Sequence, residues 1–174
     1  MTHEISLRPI EAKDRAHIRE LLLQRWGSLL LATRGKLVDA STLEGFLVET
    51  AAEEISGLIT LQIEGDECEV VSLDSFNEGA GIGTALLQHT ARFAGARGCR
   101  RLWLITTNDN LHALRLYQKR GMHIAALYPD AITHARQRLK PQIPLIGGHG
   151  IPIRDEIELA LRPAGDGSAM MCAN

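Results

Sequence analysis

Cysteine is scarce in this chain, with three in 174 residues, and Cys68, Cys99 and Cys172 share no C-x-x-C or other paired spacing. That argues against a disulfide framework and leaves reduced thiols as the simplest reading. The seven histidines are scattered, without H-E-x-x-H or a Cys/His pair at ligand spacing, so no motif supports a metal centre. Positive charge is not concentrated either: 19 Lys+Arg against 21 Asp+Glu leave a formal net charge of -2. With no basic block, nucleic-acid binding is not expected. No apolar run approaches the length of a bilayer span, and the first residues lack a positive region followed by an apolar one. The expectation is a soluble, cytoplasmic protein, monomer or homodimer, with no membrane partner.

What is present suffices for one good core: 45% of the residues are hydrophobic, which suits a single domain over residues 1–162 and a frayed tail over 163–174. A short strand ends at Pro9, and Asp14 precedes a helical pattern in Ile18, Leu21, Leu22 and Arg25 that stops at Trp26-Gly27. Residues 27–45 are mixed and predict a short helix or an ordered loop. Three strands follow, over 45–50, 56–63 and 68–73, the last two joined by a turn at Gly65-Asp66. A helix from Gly81 to about Ala96 leads to the apolar strand 101–106, and a second helix runs from Leu111 to Arg120 behind a possible Asn110 cap. A strand over 122–127, a small helix over 131–139 and a strand over 153–161 complete the pattern. The stretch 140–152 between the last two holds three prolines and three glycines and reads as a loop, long enough to suggest a wall or lid. This order predicts an α/β or α+β layer structure in which 68–73 and 101–106 pair in parallel across a helical crossover.

One segment carries chemistry. Gly79-Ala-Gly-Ile-Gly83 puts a glycine-rich turn directly before a helix, where free backbone N–H groups and the helix dipole favour a phosphate. No Lys-Ser or Lys-Thr follows, which excludes a Walker A loop, and the third glycine comes one residue too early for the dinucleotide fingerprint G-x-G-x-x-G. The amides of Gly79, Ala80, Gly81, Ile82, Gly83 and Thr84 are the candidates for anion contact. About 25 residues on begins the run 106–121, in which Tyr117 lies on a helix that starts straight after a strand and can face the same cleft.

The runs Leu73-Asp-Ser-Phe-Asn-Glu-Gly-Ala-Gly-Ile-Gly-Thr-Ala-Leu-Leu87 and Asn108-Asp-Asn-Leu-His-Ala-Leu-Arg-Leu-Tyr-Gln-Lys-Arg-Gly-Met122 resemble the GNAT superfamily of acetyl-CoA-dependent N-acetyltransferases. The resemblance implies a splayed mixed sheet of about seven strands flanked by helices, with acetyl-CoA as the acyl donor. It assigns the pyrophosphate to Gly81 and Gly83, with Glu78 standing where the family commonly has Gln or Arg. It gives Leu73, with Asp74 and Ser75 beside it, the role of hydrogen-bonding the pantetheine arm, and sets Asn108 near the cofactor, with Asn110 close by. Tyr117 matches the family's frequent general acid, and its reference pKa of about 10 against roughly 8.5 for a thiol suits proton delivery to a departing sulfur. The base is open among Glu69, Asp74 and Glu49. Trp26, Glu49 and His149 are candidates for the acceptor pocket. The implied function is acetyl transfer to a primary amine of a small molecule or peptide; a non-catalytic acyl-CoA-binding sensor or interaction module is the alternative suggested by Glu78.

Overall fold

The computed structural model describes residues 6–50, 54–76 and 80–163. In chain order they form β1 (Ser6–Pro9), α1 (Arg15–Trp26), β2 (Leu30–Thr33), β3 (Lys36–Asp39), β4 (Glu44–Glu49), β5 (Ile55–Glu64), β6 (Glu67–Ser75), α2 (Ile82–Ala96), β7 (Arg101–Thr107), α3 (Leu111–Lys119), β8 (His123–Tyr128), α4 (Ala131–Arg138) and β9 (Glu156–Leu161). Seven strands make one mixed sheet in the order β1-β4-β5-β6-β7-β9-β8, while β2 and β3 pair with each other. The expected α/β architecture, about seven strands flanked by helices, is the one observed. The chain forms two compact units, one built from the segment ending at Glu11, Glu44–Leu102 and the segment beginning at Arg162, the other from Ala12–Leu43 and Trp103–Leu161.

In the first unit β1, β4, β5 and β6 are a run of antiparallel neighbours. Leu47, Val48, Leu58, Ile59 and Leu61 are almost fully buried, as the apolar runs of β4 and β5 require. Helix α2 lays Ile82, Leu86, Leu87, Ala91 and Ala94 into this core, and Phe46 of β4 meets His89 and Phe93 edge-on at centroid distances of 4.4 and 5.1 Å. Burial there holds the His89 imidazole below its ordinary pKa. Gly57 of β5 is what lets the start of α2 approach so closely. A Cβ at that position would stand 2.2 Å from Ile82 Cγ2 and 3.1 Å from Leu86 Cδ1.

In the second unit α1 buries Ile18 and Leu22 and ends at Gly27, whose φ of +66° and bond from its N–H to the Leu23 carbonyl close the helix. Asp14 precedes it as expected, yet its side chain caps nothing; a single 3-10 turn over Ala12–Asp14 leads into the helix instead. The segment 27–45 holds one short helical turn, the 3-10 helix Ala40–Thr42 behind an Asp39 cap, and no α-helix. Its centre is the hairpin β2–β3, with Thr33 opposite Lys36 and the two-residue connection Arg34-Gly35 at φ +46° and +74°. Positive φ at both positions is the tight turn that matches strand twist, and it overrides the helical tendency of Leu29-Leu30-Leu31.

The loop between α4 and β9 is held in place. Arg136 of α4 donates to the carbonyls of Ile143, Pro144 and Ile153. The buried Lys140 donates from Nζ to the Leu30 carbonyl at 2.8 Å, and burial pulls its pKa down. Ile146 bridges to Pro152, closing a small antiparallel excursion. β9 starts at Glu156 and not at Ile153, because 153–155 spend their backbone groups on neighbouring loops.

Candidate active site

The glycine turn ends in a left-handed residue: Gly81 has φ +74° and ψ +7° and is the residue before α2. The first bond of the helix runs from the Ala85 N–H to the Gly81 carbonyl at 3.0 Å, and the amides of the residues just before Ala85 lie at the start of the helix, where its dipole is positive. Gly81 offers no side chain to cap them, and Ala80 and Gly81 are exposed. This arrangement leaves the positive end of α2 open to an anion. Glu78 and Gly79 lie outside the described residues.

Strand β6 carries Glu69, Leu73, Asp74 and Ser75 toward that turn. Its pairing with β5 slips by one residue: Thr60 faces Ser72, but Leu61 faces Val70, so Val71 is the extra residue of a bulge on β6. Simple alternation sets Glu69 and Asp74 on opposite faces, five residues apart. The bulge reverses this, because Glu69 pairs with Gln62 and Asp74 with Leu58, which share one face of β5. Between them the Thr60 and Ser72 hydroxyls meet at 2.8 Å, fully buried. Asp74 is itself 2% exposed, whereas Glu69 is partly open to solvent. Glu49 has a different setting: Arg8 holds its carboxylate with both Nε, at 2.9 Å, and a terminal nitrogen, at 2.5 Å.

The remaining predicted residues belong to the second unit. Asn110 caps α3, accepting from the Ala113 N–H at 3.2 Å. Tyr117 shares the buried face of α3 with Ala113 and is 8% exposed. The Asn108 amide is engaged with the segment before β9: Nδ2 donates to the Pro152 carbonyl, and Oδ1 accepts from the N–H groups of Arg154 and Asp155. Asp109 accepts from the Thr107 hydroxyl and the Gly148 N–H, and Gly147 packs so close that a Cβ would collide with its carboxylate. His149 sits in the adjoining turn, exposed, with φ +57°. Trp26 ends α1 and is 43% exposed.

Several polar residues escaped the sequence reading. Asp155 and Glu156, which look like solvated strand-start residues, are buried. Asp155 accepts from the Arg154 guanidinium and from the Asp130 N–H, and these bonds hold its carboxyl below the usual carboxylate range. Glu158 is 2% exposed and accepts a 2.6 Å bond from the Tyr128 hydroxyl, which raises the phenol's pKa. The alternation Glu156-Ile-Glu158-Leu marked one acidic face, a signal that went unused. Among the described residues no group of three His, Cys, Asp or Glu is placed to hold a metal ion, and no helix is long and apolar enough to cross a membrane.

Comparison with known proteins fits this geometry. Residues 11–122 match the Acetyltransferase (GNAT) family. The chain is 45% identical over 140 residues to the uncharacterized protein YdhI of Bacillus subtilis (strain 168), spanning 80% of this chain and 87% of that one. Its fold is similar to that of the IAA acetyltransferase from Bacillus cereus, with a TM-score of 0.71 and 22% identity over 91% of this chain and 99% of that one. A GNAT family acetyltransferase from Elizabethkingia anophelis with acetyl-CoA bound superposes with a TM-score of 0.65 at 21% identity, over 91% of this chain and 97% of that one. The chain belongs to the GNAT family of acetyltransferases, enzymes that draw their acyl group from acetyl-CoA.

Proposed function

We propose that this chain is an N-acetyltransferase that moves the acetyl group of acetyl-CoA directly onto a primary amine of a small molecule or peptide. The observation that carries the reading is the open N-terminus of α2 behind a left-handed Gly81, on a chain of this family. The amides of Ile82, Gly83 and Thr84 bind the pyrophosphate, and the end of β6, Leu73 to Ser75, takes the pantetheine arm and polarises the thioester carbonyl through a backbone N–H. CoA supplies the activated thioester; the chain's residues orient it and manage two protons.

Glu69 is the base in this scheme. It is the more accessible of the two carboxylates that share a face on β6, while the Glu49 carboxylate is spent on Arg8. Glu69 takes a proton from the acceptor ammonium and releases it to solvent, and the neutral amine attacks the carbonyl carbon. Glu69 then takes the second proton from the now cationic nitrogen, and the carbon–sulfur bond breaks as the tetrahedral intermediate collapses to the amide. Tyr117 protonates the leaving thiolate. The test is a panel of primary amines incubated with acetyl-CoA, followed by free thiol and by mass of the acetylated product. Thiol release matched by product supports the reading. Tight CoA binding with no product across small-molecule and peptide panels refutes it and leaves a binding module.

A further inference from the structure

The tip of the β2–β3 hairpin departs from what its turn asks for. A two-residue turn with positive φ at both positions favours Asn-Gly, because most side chains are strained there. This chain has Arg34 at φ +46°. The side chain that carries the strain reaches a specific place: the Arg34 guanidinium carbon lies 4.6 Å from the centre of the Trp103 ring, and Nε lies 3.6 Å from Oε2 of Glu158. The same Oε2 accepts the Tyr128 hydroxyl at 2.6 Å. An indole face, a buried carboxylate and a phenol that orients it make a receptor for a cation. Trp103 is 6% and Glu158 is 2% exposed, yet the Arg34 side chain that covers them is 45% exposed. At 3.6 Å the ion pair with Glu158 is longer than a hydrogen bond, so the guanidinium is held by charge, by the ring contact and by the neighbouring Tyr128 hydroxyl.

We propose that Trp103, Tyr128 and Glu158 form a binding site for the guanidinium group of a basic ligand, and that Arg34 fills it until the ligand displaces it. In an amine acetyltransferase this ligand is the acceptor, anchored through a cationic group that does not react; that assignment rests on the function proposed above, while the cation site itself does not. The hairpin then acts as an internal competitor. Its removal raises the apparent affinity of any cation that fits, in proportion to the fraction of molecules in which Arg34 occupies the site.

The test titrates the full chain with L-argininamide and with L-citrullinamide, which keeps the same α-amino group and carries a neutral ureido group in place of the guanidinium, at constant ionic strength. The indole N–H signal of Trp103, assigned with Trp26→Phe, reports binding by NMR. Argininamide is expected to shift that signal and citrullinamide to leave it in place. Arg34→Ala should tighten argininamide about tenfold, and Glu158→Gln in the Arg34→Ala background should return affinity to that of citrullinamide. Tyr128→Phe in the same background should weaken argininamide several-fold, since Glu158 loses the bond that orients it. Where Arg34→Ala disturbs the fold, Arg34→Met keeps the stem over Trp103 and serves the same comparison. Equal binding of the two amides, or unchanged or weaker argininamide binding in a folded Arg34 variant, overturns the proposal. Acetyl-CoA titrated into the same samples separates the two claims: acetyl transfer without argininamide binding refutes the cation site, and argininamide binding without acetyl transfer to any amine supports it while refuting the enzyme reading.

Discussion

Substituting Gly81 by aspartate and by asparagine separates the anion site from the architecture that carries it. Both side chains tolerate left-handed backbone better than most, at a cost of about 1 kcal/mol. A Cβ on Gly81 meets nothing within 4 Å, so no clash adds to that cost. The aspartate also gains a favourable interaction with the N-terminus of α2, about 0.3–1 kcal/mol, which offsets part of the strain. Both variants should therefore melt within about 4 °C of the parent, given roughly 2–4 °C per kcal/mol for a chain of this size. Affinity for CoA should divide them. The aspartate sets a unit charge beside the pyrophosphate, and at 4 Å such repulsion lies between about 1 kcal/mol in water and about 4 kcal/mol at a protein surface. Because Gly81 is exposed, a value of about 2–3 kcal/mol is appropriate, so Gly81→Asp should bind CoA about 30- to 150-fold more weakly than Gly81→Asn. Calorimetric titration at 0.1 M and 1 M salt checks this, since the excess loss should shrink as the screening length falls from about 10 Å to about 3 Å. Equal losses for the two variants, insensitive to salt, would show that the turn acts only as a joint between β6 and α2.

Other substitutions read other parts of the chain. Tyr117→Phe keeps the buried ring and removes the proton donor, so single-turnover acetyl transfer should slow by about 10²–10⁴-fold with CoA affinity unchanged; an unaltered rate removes Tyr117 from the mechanism. Gly57→Ala forces a methyl group to within 2.2 Å of Ile82 Cγ2. It should cost about 1–3 kcal/mol, seen as a melting temperature lower by about 3–10 °C, and an unchanged melting curve would contradict the packing of β5 on α2. The Cys68 thiol is pushed up to about 12, first by burial and then by nearby Cys99, Glu44 and Glu69. Since the unfolded thiol ionises near 9.0, the unfolded state releases its proton first, and the stability fully present below pH 9 should be lost as pH rises toward 12. Chemical denaturation of Cys68→Ala beside the parent over that range should show the parent with the steeper loss.

The elements that read correctly from the sequence are those whose signal is local. β5 and β7 are apolar runs of strand length, α2 is bounded by Gly81 and Gly98 with positive φ at both, and the Asn110 cap announces α3. The hairpin escaped because its two strands have four residues each and its turn is Arg-Gly, which carries no strong turn signature. The bulge at Val71 escaped for a sharper reason. Nothing in Glu69-Val-Val-Ser-Leu73 marks an extra residue, yet inserting one moves Glu69 to the face of Asp74 and changes which carboxylates can act together.

Strand β9 shows the limit of periodicity most clearly. Alternation of Glu156, Ile157, Glu158 and Leu159 identifies two faces and suggests that the acidic one meets water. In the fold both glutamates are 2% exposed while Ile157 is more open. What reverses the expectation for Glu158 is supplied from elsewhere: a tyrosine 30 residues earlier donates to it, and an arginine on the hairpin sits above it. A buried carboxylate is costly unless it is hydrogen-bonded and paired, so its position on an inward face was conditional on partners that no local window contains. The burial of Glu158, the strain at Arg34 and the placement of Trp103 are three consequences of one arrangement. A chain that only needed a stable strand there would meet that need with an apolar residue at position 158 and Asn-Gly at the turn.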